Sequence, residues 1–187
     1  MPIKIYIDQG HNPVNPNAGA EGNGLREQNI TYDIGNRLAA LLRANGDFDV
    51  RLSRNSPTEQ IGTSNSSSLR IRTEEANAWG ADYFISLHCN ASANSSASGT
   101  EAYAYRQGSQ GFALAEDIVA GIVSATGLRN RGVFARPSLY VLRFTNMPAV
   151  LVEMGFISNP RDASLLSEQP DLFARGIYNG ILAFFGM

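Results

Sequence analysis

The chain contains two histidines, His11 and His88, and each stands just past an apolar run that reads as a β-strand, residues 3–8 and 82–88. A third run, residues 149–152, ends in a carboxylate, Glu153. Open α/β sheets collect their ligand sites at the carboxyl ends of the strands. Three strand ends that bring His, His and Glu to one edge are the raw material of a hydrolytic metal site. A catalytic zinc keeps three protein ligands and an open position, and two His with one carboxylate is an established set. Such an ion polarises a carbonyl and makes water a nucleophile near neutral pH.

The two histidines leave one ligand to find, and Glu27 is the leading candidate. It opens a helix whose apolar residues include Ile30 and Ile34, so its side chain shares their sheet-facing side. A carboxylate is also favoured in any first helical turn by the macrodipole, and the position alone does not choose between the two. Glu153 then serves as general base, which must reach the attacking water without filling the open ligand position. Alternation puts Ala149, Leu151 and Glu153 on one side of the strand. The competing role for Glu153 is a structural ion pair. Cys89 adjoins His88 but should point to the opposite face, as a small packed residue. It is the single cysteine, which excludes an internal disulfide or a Cys-rich zinc cluster.

Alternating strands and helices must carry these groups. Strands are predicted at 3–8, 48–52, 82–88, 100–105, 139–142 and 149–153. Helical stripes run through Ile30, Ile34, Leu38 and Leu41, then Phe112, Ala115, Val119 and Ile122, then Phe173, Ile177, Ile181 and Phe184. The expected fold is an α/β three-layer sandwich, with a mainly parallel, mixed twisted sheet and helices on both faces. One domain is expected over 1–187. Segments 9–24, 55–68 and 91–99 read as loops, and the first and third follow the two histidines.

A net charge of -2 gives no electrostatic reason to bind nucleic acid. No segment approaches the roughly 20 apolar residues that span a bilayer, and the first residues lack the apolar core of a signal peptide. The chain as given is therefore expected to be made as a soluble protein, or to have had an export segment removed.

Four segments together resemble a known family: Asp8-Gln9-Gly10-His11, Gly24-Leu25-Arg26-Glu27, Ser86-Leu87-His88-Cys89-Asn90-Ala91 and the block from Val150 to Asn159. Their order is similar to that of the zinc-dependent N-acetylmuramoyl-L-alanine amidases of the type 3 class. The likeness extends to Arg54, to Arg72 with Ala76-Asn77, and to Leu142-Arg143 before Pro148, and so spans nearly the whole chain. It implies one zinc on His11, Glu27 and His88, with Glu153 as catalytic acid/base. The implied substrate is peptidoglycan, cut between the lactyl group of muramic acid and L-alanine. Asn90, Arg143 and Arg72 become substrate-binding candidates, although Arg72 could instead pair with Glu75 one helical turn away. One departure stands out: the family usually has Gly-His-Gly after the first strand, and here Asn12-Pro13 follow His11.

Two other functions compete. A zinc carboxypeptidase on a related scaffold wants a His-x-x-Glu pair, whereas His11 and Glu27 are 16 positions apart. An inactive peptidoglycan-binding module would be expected to lack a ligand or Glu153, and all four positions are filled.

Overall fold

The computed structural model describes all 187 residues. Six strands form one sheet in the order β4-β1-β5-β8-β6-β7. These are β1 (Ile3–Gln9), β4 (Phe48–Leu52), β5 (Tyr83–Asn90), β6 (Thr100–Ala104), β7 (Asn130–Ala135) and β8 (Ala149–Phe156). β1, β4, β5 and β8 run parallel, and β6 is antiparallel to β8, so the sheet is mixed. β2 (Glu21–Gly22) and β3 (Leu25–Arg26) form a small separate hairpin.

One face of the sheet carries the larger core. Ile5, Ile7, Ile85, Leu87, Val150 and Val152 project there against α1 (Glu27–Asn45), α3 (Gln110–Thr126) and α6 (Pro170–Phe185). Gly176 brings α3 and α6 together: a methyl there would sit 2.7 Å from the Ile122 backbone, so only glycine admits this approach. The other face is covered by α2 (Asn65–Trp79) and the short α4 (Tyr140–Arg143), over Tyr6, Phe84, Ala149 and Leu151. α5 (Pro160–Glu168) follows β8, capped by Asn159. In its first turn the buried Asp162 accepts from the amides of Gly99 and Phe156, tying the loop after β5 to the end of β8.

The helices predicted from apolar stripes are present, and so is the three-layer mixed sandwich. Two elements differ from expectation. Residues 139–142 are not a strand: residues 140–143 form one turn of helix, with the Arg143 amide bonded to the Leu139 carbonyl. Four residues that are apolar but for a tyrosine satisfy either period. The sixth strand is instead β7, hidden by Asn130, Arg131 and Gly132 at its start. The serine-rich segment 55–68 is only partly loop, because α2 begins at Asn65. Ser64 and Ser67 form a capping box there, so serines that read as a flexible connector start a helix.

Candidate metal centre

His88 and Glu153 lie on adjacent strands in register, and Glu153 is in turn paired with Glu101 of β6. The three residues thus form a row across the face covered by α2 and α4, near the carboxyl ends of β5 and β8. His11 follows β1 in a left-handed conformation, φ 70°, that non-glycine residues seldom adopt. Its carbonyl accepts from Arg72 at 2.7 Å, which helps hold that turn. Asn12 finishes the work: it is buried and exchanges two hydrogen bonds with the Ile61 backbone, 2.9 and 3.1 Å long. The residue that departs from the family pattern is therefore a clamp between the first loop and the 55–64 segment.

Glu27 is the first residue of α1, and its backbone amide bonds the Ala20 carbonyl at 2.9 Å. Its carboxylate is oriented by two amides, Ala20 to Oε2 at 2.8 Å and Cys89 to Oε1 at 2.9 Å. Oε1 lies 3.2 Å from His11 Nε2 and 3.1 Å from His88 Nδ1, and the two ring nitrogens are 3.1 Å apart. Three lone-pair donors thus converge on one point.

Zinc ligands about 2.0–2.1 Å from the ion at tetrahedral angles stand about 3.3 Å from one another. The observed triangle matches that spacing, and its nitrogen and oxygen donors suit zinc. No other group of His, Cys, Asp or Glu in the chain clusters in this way. The backbone leaves room only for these side chains. A Cβ on Gly10 would lie 2.6 Å from the His88 ring, and one on Gly19 would lie 2.8 Å from Glu27 Oε2. Burial alone would raise the Glu27 pKa, but hydrogen bonds from His11 and His88 prevail and hold it well below the usual carboxylate range.

Glu153 has the opposite character. Its Oε2 is buried with no hydrogen-bond partner. Burial first, then the charges of Glu27 and Glu101, push its pKa up to about 8. A carboxyl so placed can both take and return a proton near neutral pH. The unpaired oxygen also disposes of the alternative role, because Glu153 makes no ion pair in the protein.

Cys89 is buried among the larger core on the face away from His88, and burial pushes its thiol well up. It touches the centre only through its backbone amide.

The substrate-binding candidates separate. Arg72 borders the hollow at the histidines, but it is 1% exposed and its guanidinium is spent on Asp8, Ser53 and the carbonyls of Gln9 and His11. Nor does it pair with Glu75, which accepts instead from the Tyr6 hydroxyl at 2.8 Å. Asn90, two residues after His88 on β5, donates to Glu101 at 2.9 Å. Arg143 is not brought to the histidines. It lines a hollow of about 540 Å³ with Ala149, the first residue of β8, whereas Glu153 lies toward that strand's far end. A smaller hollow of about 240 Å³ opens at the histidines, walled by Leu139, Tyr140 and Val141.

Two participants escaped the sequence reading. Glu101 is buried and bonded to Tyr103, Asn90 and Arg131, and these bonds outweigh burial to hold its pKa down. Its sequence signal was a carboxylate inside the predicted strand 100–105, without the apolar run that precedes Glu153. Asn12 was noticed only as a departure.

The family model described as N-acetylmuramoyl-L-alanine amidase matches residues 5–183. The chain belongs to this amidase family. It is 37% identical over 185 residues to N-acetylmuramoyl-L-alanine amidase LytC of Bacillus subtilis, covering 97% of this chain but 35% of LytC. With amidase CwlM of Bacillus licheniformis it shares 36% identity across 99% of this chain and 70% of the relative. Among solved structures, the catalytic domain of the amidase CwlV from Bacillus (Paenibacillus) polymyxa var. colistinus superposes with a TM-score of 0.85 at 30% identity, covering 98% of both chains. An N-acetylmuramoyl-L-alanine amidase from Clostridium difficile 630 gives 0.87 at 30% identity, covering 99% of this chain and 97% of the other. The amidase fold thus extends over the whole chain, although the chain spans only about a third of LytC.

Proposed function

We propose that this chain is a zinc-dependent peptidoglycan amidase that hydrolyses the bond between the lactyl group of N-acetylmuramic acid and L-alanine. The observation that carries the reading is the triangle of His11, Glu27 and His88 beside an unpaired, buried Glu153. His11, Glu27 and His88 would hold the ion. When bound there, zinc supplies Lewis-acid polarisation of the amide carbonyl and a lowered pKa for the attacking water.

Glu153 takes the proton of the attacking water on its unpartnered carboxylate and passes it to the leaving L-alanine nitrogen, so that the amine departs neutral. Its raised pKa suits both halves of that transfer. Glu101, fixed by Asn90, Arg131 and Tyr103, keeps a negative charge next to Glu153 and favours its protonated form. The whole of 1–187 acts as one catalytic unit in this reading, and its place of action is the bacterial cell wall.

Elemental analysis of the parent, His11→Ala and His88→Ala tests the ligand set. The parent should hold one zinc per chain and each variant should lose most of it. Full zinc in both variants would refute the assignment.

A further inference from the structure

β6 and β7 differ from the rest of the sheet on the face that carries Glu153. α2 and α4 cover β1, β5 and β8 there, whereas the helix packed on β6 and β7 is α3, on the opposite face. Phe134 of β7 is consequently 44% exposed. Its ring lies back along the strand over Gly132, where a Cβ would stand 3.6 Å from it. Gly132 adopts φ 102°, which favours glycine, so the surface beneath the ring stays flat. Gly132 pairs with Glu101 and Glu101 with Glu153, which puts the ring about two strand spacings, roughly 10 Å, from Glu153. The Tyr103 ring is 6.3 Å from Phe134, and the Arg136 guanidinium is 5.5 Å from Tyr103. The Tyr103 hydroxyl is held by Glu101. An aromatic shelf with an arginine at its end thus leads away from the site.

Charge says what the shelf receives. Residues 118–152 include Arg129, Arg131, Arg136 and Arg143 and no acidic residue, in a chain of net charge -2. Arg131 is neutralised by Glu101, but Arg136 has no carboxylate partner. Sugars also stack on aromatic rings. A muramic acid whose lactyl carboxyl is tied up in the amide carries no charge, however, whereas the stem peptide does.

We infer that Tyr103, Phe134 and Arg136 form a subsite for the peptide side of the scissile amide. Arg136 takes a carboxylate of the stem, and the two rings pack on its aliphatic parts. The inference rests on the amidase reading above.

The test uses the zinc-loaded full chain and two soluble muramoyl-peptides that differ only in whether the stem carboxylates are free or amidated. The parent should favour the free acid by roughly tenfold or more in kcat/KM, the scale of one hydrogen bond to a charged group, with the difference in KM. In Arg136→Gln that ratio should fall toward one. Phe134→Ala should raise KM for both substrates. Arg51→Gln, an exposed arginine on the far strand β4, should keep the parent ratio. A parent without preference, or an Arg136→Gln variant with the parent ratio, would overturn the subsite while leaving the amidase in place. Phe134→Ala changing the dependence on glycan length, with KM for the short peptides unmoved, would assign the shelf to sugar and overturn it too. A parent that cleaves neither substrate would instead sink the amidase reading itself, a different and recognisable outcome.

Discussion

Glu153 is an acid kept in an unfavourable place, and that has a cost that can be measured. In the metal-free protein its pKa lies near 8 instead of the ordinary 4.5. Between those values the native chain holds a proton that the unfolded chain has released. Stability therefore falls as pH rises through that window. Glu153→Gln removes the penalty. In chelator at pH 8 the variant should melt a few degrees above the parent, and near pH 4 the two should converge. A variant that melts lower at pH 8 would show the carboxylate to be stabilising. With zinc present, the same substitution should cut amide hydrolysis by about 10²–10⁴-fold while the metal stays bound, because none of the three ligands has changed. Cys89→Ala should keep stoichiometric zinc, since only its backbone amide reaches Glu27. Loss of the metal in that variant would mean that the thiol faces the centre.

At the scale of elements, the loop after β1 and helix α2 are joined by Arg72, which binds Asp8 and the His11 carbonyl from inside the protein. Removing one partner of a buried pair typically costs about 3–5 kcal/mol. Arg72→Ala should therefore lower the melting temperature steeply and lose zinc with it, whereas Arg143→Ala, at an exposed position, should stay within about 0.5 kcal/mol of the parent. Equal stability of the two variants would contradict this placement. The sequence offered Arg72 either substrate or Glu75 as a partner and named neither Asp8 nor the His11 carbonyl, and the reason is general. An arginine on a helix offers no sequence signal that separates a salt bridge one turn away from a reach across to another strand. The helix stripes and the strands bearing His88 and Glu153 could be read because a buried face imposes a period. Residues 139–142 could not, because one helical turn is too short to show one. Likewise the convergence of His11 on Glu27 depends on a left-handed turn and on Asn12 bonding to Ile61, and neither contact has a local signature.

For the whole molecule, the three proposed ligands come from the ends of β1 and β5 and from the start of α1, so a metal held there would tie together segments far apart in sequence. An ion that binds only the folded chain stabilises it by mass action, about 2.7 kcal/mol at a hundredfold excess over Kd. Zinc should accordingly raise the melting temperature of the parent and leave that of His88→Ala almost unmoved. The central claim, however, concerns the bond that is cut. Purified peptidoglycan incubated with the chain should release L-alanine amino groups without new reducing sugar ends. The release should stop in chelator and return with added zinc. New reducing ends, or amino-group release indifferent to the chelator, would contradict the account.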